Sequence, residues 1–245
     1  MDCFVVCVGY WDYLSLTLPR MKRWFDDVTV ITSPAEAERF HDHTAALYVT
    51  DAFYREGAVF NKGAAMEEAM ADANPTEWIC VMDADILLPS PEEMLLHIEP
   101  GNIYGPHRRQ QPEGADYADE SEWQYLLLGN DPITQCPGFM QVFHASDPIL
   151  ATRPWYPVNW RHGGGCDSDF CEKWPKAKQR RLPFDVLHLG QPRKNWCGRA
   201  TPHLDGTVPK NAAENAKAYE DMIAQRQRYG LKLERLPRKG RNVKE

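Results

Sequence analysis

The 245-residue sequence contains no run of about 18 apolar residues, so nothing in it reads as a membrane-spanning helix. Met1-Asp2-Cys3-Phe4 lacks the basic start and small-residue cleavage site of a secretory signal, and the expectation is a cytoplasmic protein. The seven cysteines include no Cys-X-X-Cys pair. That argues against a disulfide framework or structural zinc finger and for small buried side chains in a reducing compartment. Cys166, Cys171 and Cys197 fall in polar stretches and stand apart from the others. Basic residues are scarce in the first 150 positions, which carry 8 Lys+Arg against 25 Asp+Glu. Residues 151–245 reverse the balance with 20 against 10, so −17 and +10 sum to the net charge of −7. Such a division fits a polyanionic partner, and it also fits two halves that neutralise each other. No internal repeat is present.

An apolar fraction of 43% is ample for the core of one α/β domain of this length. Phe4–Val8, Val28–Thr32 and Ala46–Thr50 read as short strands, and Leu14–Phe25 has helical spacing with Pro19 near a start or kink. Ser33 is an expected cap for a short acidic helix opened by Pro34, and Asn61 for a helix of alanines and methionines that stops before Pro75. Strands and helices alternate at βαβ spacing, which predicts a mostly parallel sheet covered on both faces. Further strands are expected at Ile103–Tyr104, Phe139–Phe143 and Asp185–Leu189, and a helix over residues 211–229. Residues 110–122 read as a polar, acidic loop and residues 152–169 as a loop rich in Trp, Pro and Gly.

Trp78-Ile79-Cys80-Val81-Met82-Asp83-Ala84-Asp85 is an apolar run that ends on two carboxylates, with Pro89 and Pro91 stopping it. In a strand, alternation aims Asp83 and Asp85 the same way. Two like charges at a buried strand end need a cation or hydrogen-bond donors, which points to a divalent-metal site at the carboxyl edge of the sheet. An acidic turn is the plainer alternative. Phe60-Asn61-Lys62-Gly63, at the start of a helix, suits a phosphate or a ring carbonyl, or is an ordinary cap. His162-Gly163-Gly164-Gly165-Cys166-Asp167-Ser168-Asp169-Phe170 places carboxylates in a first helical turn beside a glycine loop. They gain there from the helix dipole, and they are also placed to deprotonate an incoming hydroxyl. His188, between leucines at a strand end, is either a core histidine or the imidazole of an oxygen-rich metal site. Arg193 and Lys194 beside it either neutralise a leaving diphosphate or belong to a solvated loop.

Taken in order, Asn-Lys-Gly, Asp-Ala-Asp, Gly-Gly-Cys-Asp-Ser-Asp-Phe and His-Leu-Gly resemble the GT-A glycosyltransferases. The resemblance is to the inverting galactosyltransferase-like and polypeptide N-acetylgalactosaminyltransferase-like branch. It covers roughly residues 3 to 200, with lesser likeness at Gly105-Pro-His-Arg-Arg and Gly138-Phe-Met-Gln-Val-Phe. It implies a GT-A, Rossmann-like α/β fold in a single domain over residues 1–205, with a nucleotide-sugar half (1–100) and an acceptor half (101–205). A C-terminal helix and basic tail (206–245) lie outside it. By the same resemblance the chain moves a sugar from a nucleotide sugar, UDP-linked by expectation, to an acceptor hydroxyl with inversion, using Mn²⁺ or Mg²⁺. Asp85 and His188 are the implied metal ligands, and Asp83 faces the ribose or the metal through water. Val8, Gly9 and Tyr10 are implied around the nucleobase, Asn61, Lys62 and Arg193 around the nucleotide, and Asp167 as the base. Gly164, Gly165, Cys166, Asp169, Trp160 and Trp196 are implied on the sugar and acceptor side. Cys166 departs from the family, which often has Glu there. If the register with Gly164-Gly165 differs, Asp169 is the base instead.

The acceptor stays open between a glycan and a hydroxymethylated pyrimidine in DNA, the latter suggested by the +10 second half and its aromatic residues Trp155, Tyr156, Trp160, Trp174 and Trp196. A sugar nucleotidyltransferase normally needs a Gly-rich basic loop after the first strand, and Gly9-Tyr10-Trp11-Asp12 does not supply one. A non-catalytic glycan or nucleotide-sugar binder would not need the retained Asp83, Asp85, Asp167 and His188.

Overall fold

Buried runs of Val, Ile, Phe and Cys form the centre of the sheet, and amphipathic helices close over both of its faces. The computed structural model describes residues 1–90, 98–110, 124–125, 136, 138–191 and 194–229, apart from the side chains of 124, 125, 228 and 229. The chain opens with β1 (Asp2–Val6), α1 (Trp11–Trp24), β2 (Asp27–Thr32) and β3 (Ala46–Val49). Next come α2 (Lys62–Ala73), β4 (Trp78–Asp83) and β5 (Ile86–Leu87). α1 buries Leu14, Leu18 and Met21, one stripe at helical spacing, and keeps Pro19 inside the helix. Asn61 caps α2 as expected: its side chain accepts from the Ala64 amide at 3.0 Å and donates to the Val158 carbonyl at 2.7 Å.

The second half contributes β6 (Ile103–Gln110), β7 (Gln124–Tyr125), β8 (Met140–His144), α3 (Cys166–Cys171), β9 (Gln179–His188) and α4 (Ala212–Tyr229). Among the described residues the sheet has nine strands in the order β3-β2-β1-β4-β8-β6-β9-β5, with β7 on β6. β1 pairs in parallel with β2 and β4, as does β2 with β3. β8 then enters antiparallel to β4. Two buried clusters fill the faces, one under α1 and the other under α2 and α3.

Several local expectations change. Asp83 ends β4, but the chain turns at Ala84–Asp85 before β5, so strand alternation does not govern the two carboxylates. β6 and β9 outrun their expected lengths because a register shift between Gly105 and His107 absorbs Pro106 and Pro183, which have no amide hydrogen to give the ladder. The acidic helix after Ser33 reduces to one 3₁₀ turn, Ala37–Arg39, whose cap is Glu36. The expected loop beyond Gln110 lies outside the described residues. No helix among those described is long and apolar enough to cross a membrane.

Candidate active site

A cavity of about 640 Å³ opens at the carboxyl ends of β1 and β4, where open α/β sheets bind ligands. Its walls gather Val8 and Tyr10 after β1, Lys62 at the start of α2, Asp83 and Asp85 after β4, and His188 at the end of β9. Gly164, Gly165 and Asp167 enter from the loop into α3, and Trp196 from the segment after β9.

Lys62 is buried and ties three elements together. Its ammonium donates to Asp83 Oδ1 at 2.7 Å and to the Gly138 carbonyl at 3.0 Å, and lies 3.4 Å from the Asp167 carboxylate. Burial disfavours that charge, yet Asp167 and Asp83 hold the ammonium well above its ordinary range. Burial drives Asp167 the other way, raising it to about 6 against the pull of Lys62, with Asp83 adding to the rise. A carboxyl that ionises near neutrality is suited to accept a proton from a substrate. The chain also crowds this group: a Cβ on Gly138 would stand 2.1 Å from Asp167 Oδ2.

Asp85 and His188 form a second pair, both buried, with Oδ2 and Nε2 3.7 Å apart. β5 pairs antiparallel with β9, Ile86 opposite His188, and the Leu189 amide donates to the Asp85 carbonyl at 2.9 Å. The His188 Nδ1 lies 2.7 Å from the Gly190 carbonyl, which only accepts, so Nδ1 carries the hydrogen. The other ring nitrogen, Nε2, is thereby turned toward the Asp85 carboxylate. Burial raises the Asp85 carboxyl above its ordinary range, with His188 opposing. This donor pair fits a divalent cation. Among the described residues no group of three His, Cys, Asp or Glu is placed to hold a metal, and Asp83 is engaged by Lys62. A cation held by this pair would need ligand and water oxygens to complete its shell, as Mg²⁺ commonly does at phosphates.

The remaining expected residues stand behind the wall or lie outside the described residues. Asn61 is consumed by capping. Gly9 adopts φ 73° and its carbonyl accepts from Arg199 at 2.8 Å; that guanidinium lies over the Tyr10 and Tyr13 rings. Cys166 and Trp160 are fully buried, the Trp160 ring beneath Gly165. Asp169 accepts from Trp160 Nε1 at 3.1 Å and does not line the cavity, whereas Asp167 does. Arg193 lies outside the described residues.

The cavity also includes a wall that the sequence reading placed outside the resemblance. Tyr219, Ile223 and Arg226 of α4 line it, with Arg226 donating to the Gly164 carbonyl at 3.0 Å and lying over the Trp196 ring. Their spacing at i, i+4 and i+7 is one helix face, a signal available from the sequence. Arg108, Phe139 and Asn195 also line the cavity.

No family model and no curated protein matches the chain. Solved structures do. A mannosyltransferase from Pyrobaculum calidifontis, solved with GDP-Man and Mn²⁺, is 15% identical with a TM-score of 0.50, covering 94% of this chain and 75% of its own. The galactosyltransferase LgtC, solved with donor and acceptor sugar analogues, is 10% identical with a TM-score of 0.47, over 92% and 96%. Glucosyl-3-phosphoglycerate synthase from Mycobacterium tuberculosis, solved with Mn²⁺, UDP and phosphoglyceric acid, is 13% identical with a TM-score of 0.45, over 78% and 71%. The likeness to the mannosyltransferase shows the fold, which is GT-A.

Proposed function

We propose that this chain is a metal-dependent glycosyltransferase that moves a sugar from a nucleotide sugar to an acceptor hydroxyl with inversion. The observation that carries the reading is the sharing of one cavity by two carboxylate centres with different partners: Asp85 facing His188, and Asp167 beside Lys62. Asp85 and His188 would hold a divalent cation, which when bound neutralises charge developing on the leaving diphosphate. Tyr10, backed by Arg199, and Val8 offer the nucleobase a wall. Asp167 removes the acceptor proton as the hydroxyl attacks the anomeric carbon from the face opposite the diphosphate. The acceptor would bind beside Trp196 and Arg226, which line the cavity. A UDP-linked donor and a glycan acceptor follow the sequence resemblance.

A screen of UDP- and GDP-sugars for slow Mn²⁺-dependent hydrolysis would identify the donor. Asp167→Asn is expected to lower kcat by about 10²–10⁴-fold with nucleotide binding retained. Unchanged turnover would sink the base assignment. A second acceptor, the hydroxymethylated pyrimidine of DNA, is favoured by the placement of α4. Arg226 on its cavity face opens the segment with eight Lys+Arg against two Glu. Salt-sensitive duplex binding favours it, and no binding at low salt removes it.

A further inference from the structure

Behind the cavity wall, Asp167 touches a buried polar pair that the proposed reaction does not yet use. The Tyr156 hydroxyl reaches Asp167 Oδ1 at 3.1 Å and also contacts Gln141 Oε1. The orientation of the amide is fixed, because Gln141 Nε2 donates to the carbonyls of Cys136, at 3.0 Å, and Asp167, at 3.1 Å. Tyr156 itself is held firmly. Its amide and that of Trp155 donate to the buried Glu67 carboxylate of α2, each at 2.9 Å, and its ring stacks on Phe170.

One hydroxyl hydrogen thus faces two acceptors, and only one can receive it. From this geometry we infer that Tyr156 and Gln141 are positioning residues that form a hydrogen-bond switch behind Asp167, serving its ionised and its protonated form in turn. The inference rests on Asp167 being the base of the proposed reaction. When Asp167 is ionised, Tyr156 donates to Oδ1. When Asp167 has taken the acceptor proton on the oxygen turned to the cavity, Oδ1 is left a neutral, weaker acceptor, and the hydroxyl hydrogen turns to Gln141 Oε1. The switch moves no proton between residues: the proton stays on Asp167, and the carboxyl keeps one orientation through the transfer. The other groups facing Asp167 are Lys62 from α2, Asp83 at the end of β4 and the Cys166 thiol of its own helix, and none changes in this rotation.

The two halves of the switch make opposite predictions. Tyr156→Phe removes the donor to the carboxylate. Since hydrogen bonds to charged groups outweigh those to neutral ones, the ionisation midpoint of Asp167 is expected to rise by about one pH unit. Gln141→Met removes the acceptor that draws the hydroxyl away, so Tyr156 donates to Asp167 throughout and the midpoint is expected to fall. The test is a ¹³Cγ titration of Asp167 by NMR, its signal assigned by loss in Asp167→Asn, on the wild type and both variants. The acid limb of kcat is followed in parallel and is expected to move with the midpoint while the donor KM stays. A Tyr156→Phe midpoint within about 0.3 pH units of wild type overturns the inference, and so do shifts of the same sign in both variants. If Gln141→Met does not fold, Tyr156→Phe alone decides. Failure of the glycosyltransferase reading shows separately, as a wild-type protein without nucleotide-sugar turnover, and leaves the titration readable.

Discussion

Replacing Lys62 by methionine keeps an unbranched stem and removes the one charge that joins Asp83 to Asp167. In the wild-type protein the ammonium is 2.7 Å from Asp83 Oδ1 and 3.4 Å from Asp167. At an effective dielectric of about 20, a unit pair at the longer distance is worth about 5 kcal/mol, an upper bound that cavity water reduces. Without it, burial and the Asp83 charge both oppose ionisation of a carboxyl already raised to about 6. The acid limb of kcat is therefore expected to move up by at least about one pH unit, since each unit corresponds to about 1.4 kcal/mol. At pH 6 the ionised fraction would fall from about a half to about a tenth or less, and turnover with it. By about pH 8.5 most of the loss should be recovered. The assay is kcat from pH 5 to 9 at saturating donor, with nucleotide binding measured beside it by calorimetry. A uniform loss at every pH, with the limb in place, would refute the electrostatic role and leave Lys62 a packing residue.

Two further outcomes follow from the same geometry. A carboxyl that titrates at about 6 in the fold and at 3.8 when exposed leaves stability unaffected below about pH 4 and lowers it as the pH rises through 6. Wild-type protein should thus lose about 3 kcal/mol relative to Asp167→Asn between about pH 4 and pH 7 in urea titrations. Parallel curves would show that Asp167 ionises normally. Gly164→Ala sets a Cβ 2.5 Å from the Trp196 ring, so the indole must leave the cavity wall and its contact with Arg226. A cost of about 1–3 kcal/mol and a shifted tryptophan emission are expected, and unchanged emission would contradict that packing.

Strands β1, β2 and β4 of the parallel half were legible because each is a mostly buried apolar run that includes β-branched residues, and Asn61 because capping is local chemistry. The ends of β6 and β9 were not, since Pro106 and Pro183 are tolerated only through a register shift set by their pairing. At the site, residue types singled out Asp85, Asp167 and His188, which line one cavity, but not the different partners of the two aspartates. That difference depends on the turn at Ala84–Asp85 and on Lys62 arriving from another element. The α4 wall had its 3.6-residue signal, yet which face meets the cavity is decided by tertiary contacts such as Tyr219 against Trp196. Tyr156 stood out in the sequence only as one aromatic among several in the basic half, because its hydrogen bonds to Gln141 and Asp167 are made across the fold.

The proposed metal-dependent donor site is tested most directly by calorimetric titration of UDP and GDP into the protein with and without Mn²⁺, repeated on Asp85→Ala and His188→Ala. Binding of one nucleotide that strengthens at least about tenfold with Mn²⁺, and loses that gain in both variants, is the expected result. Binding of neither nucleotide, or a metal effect that survives both substitutions, would contradict the account.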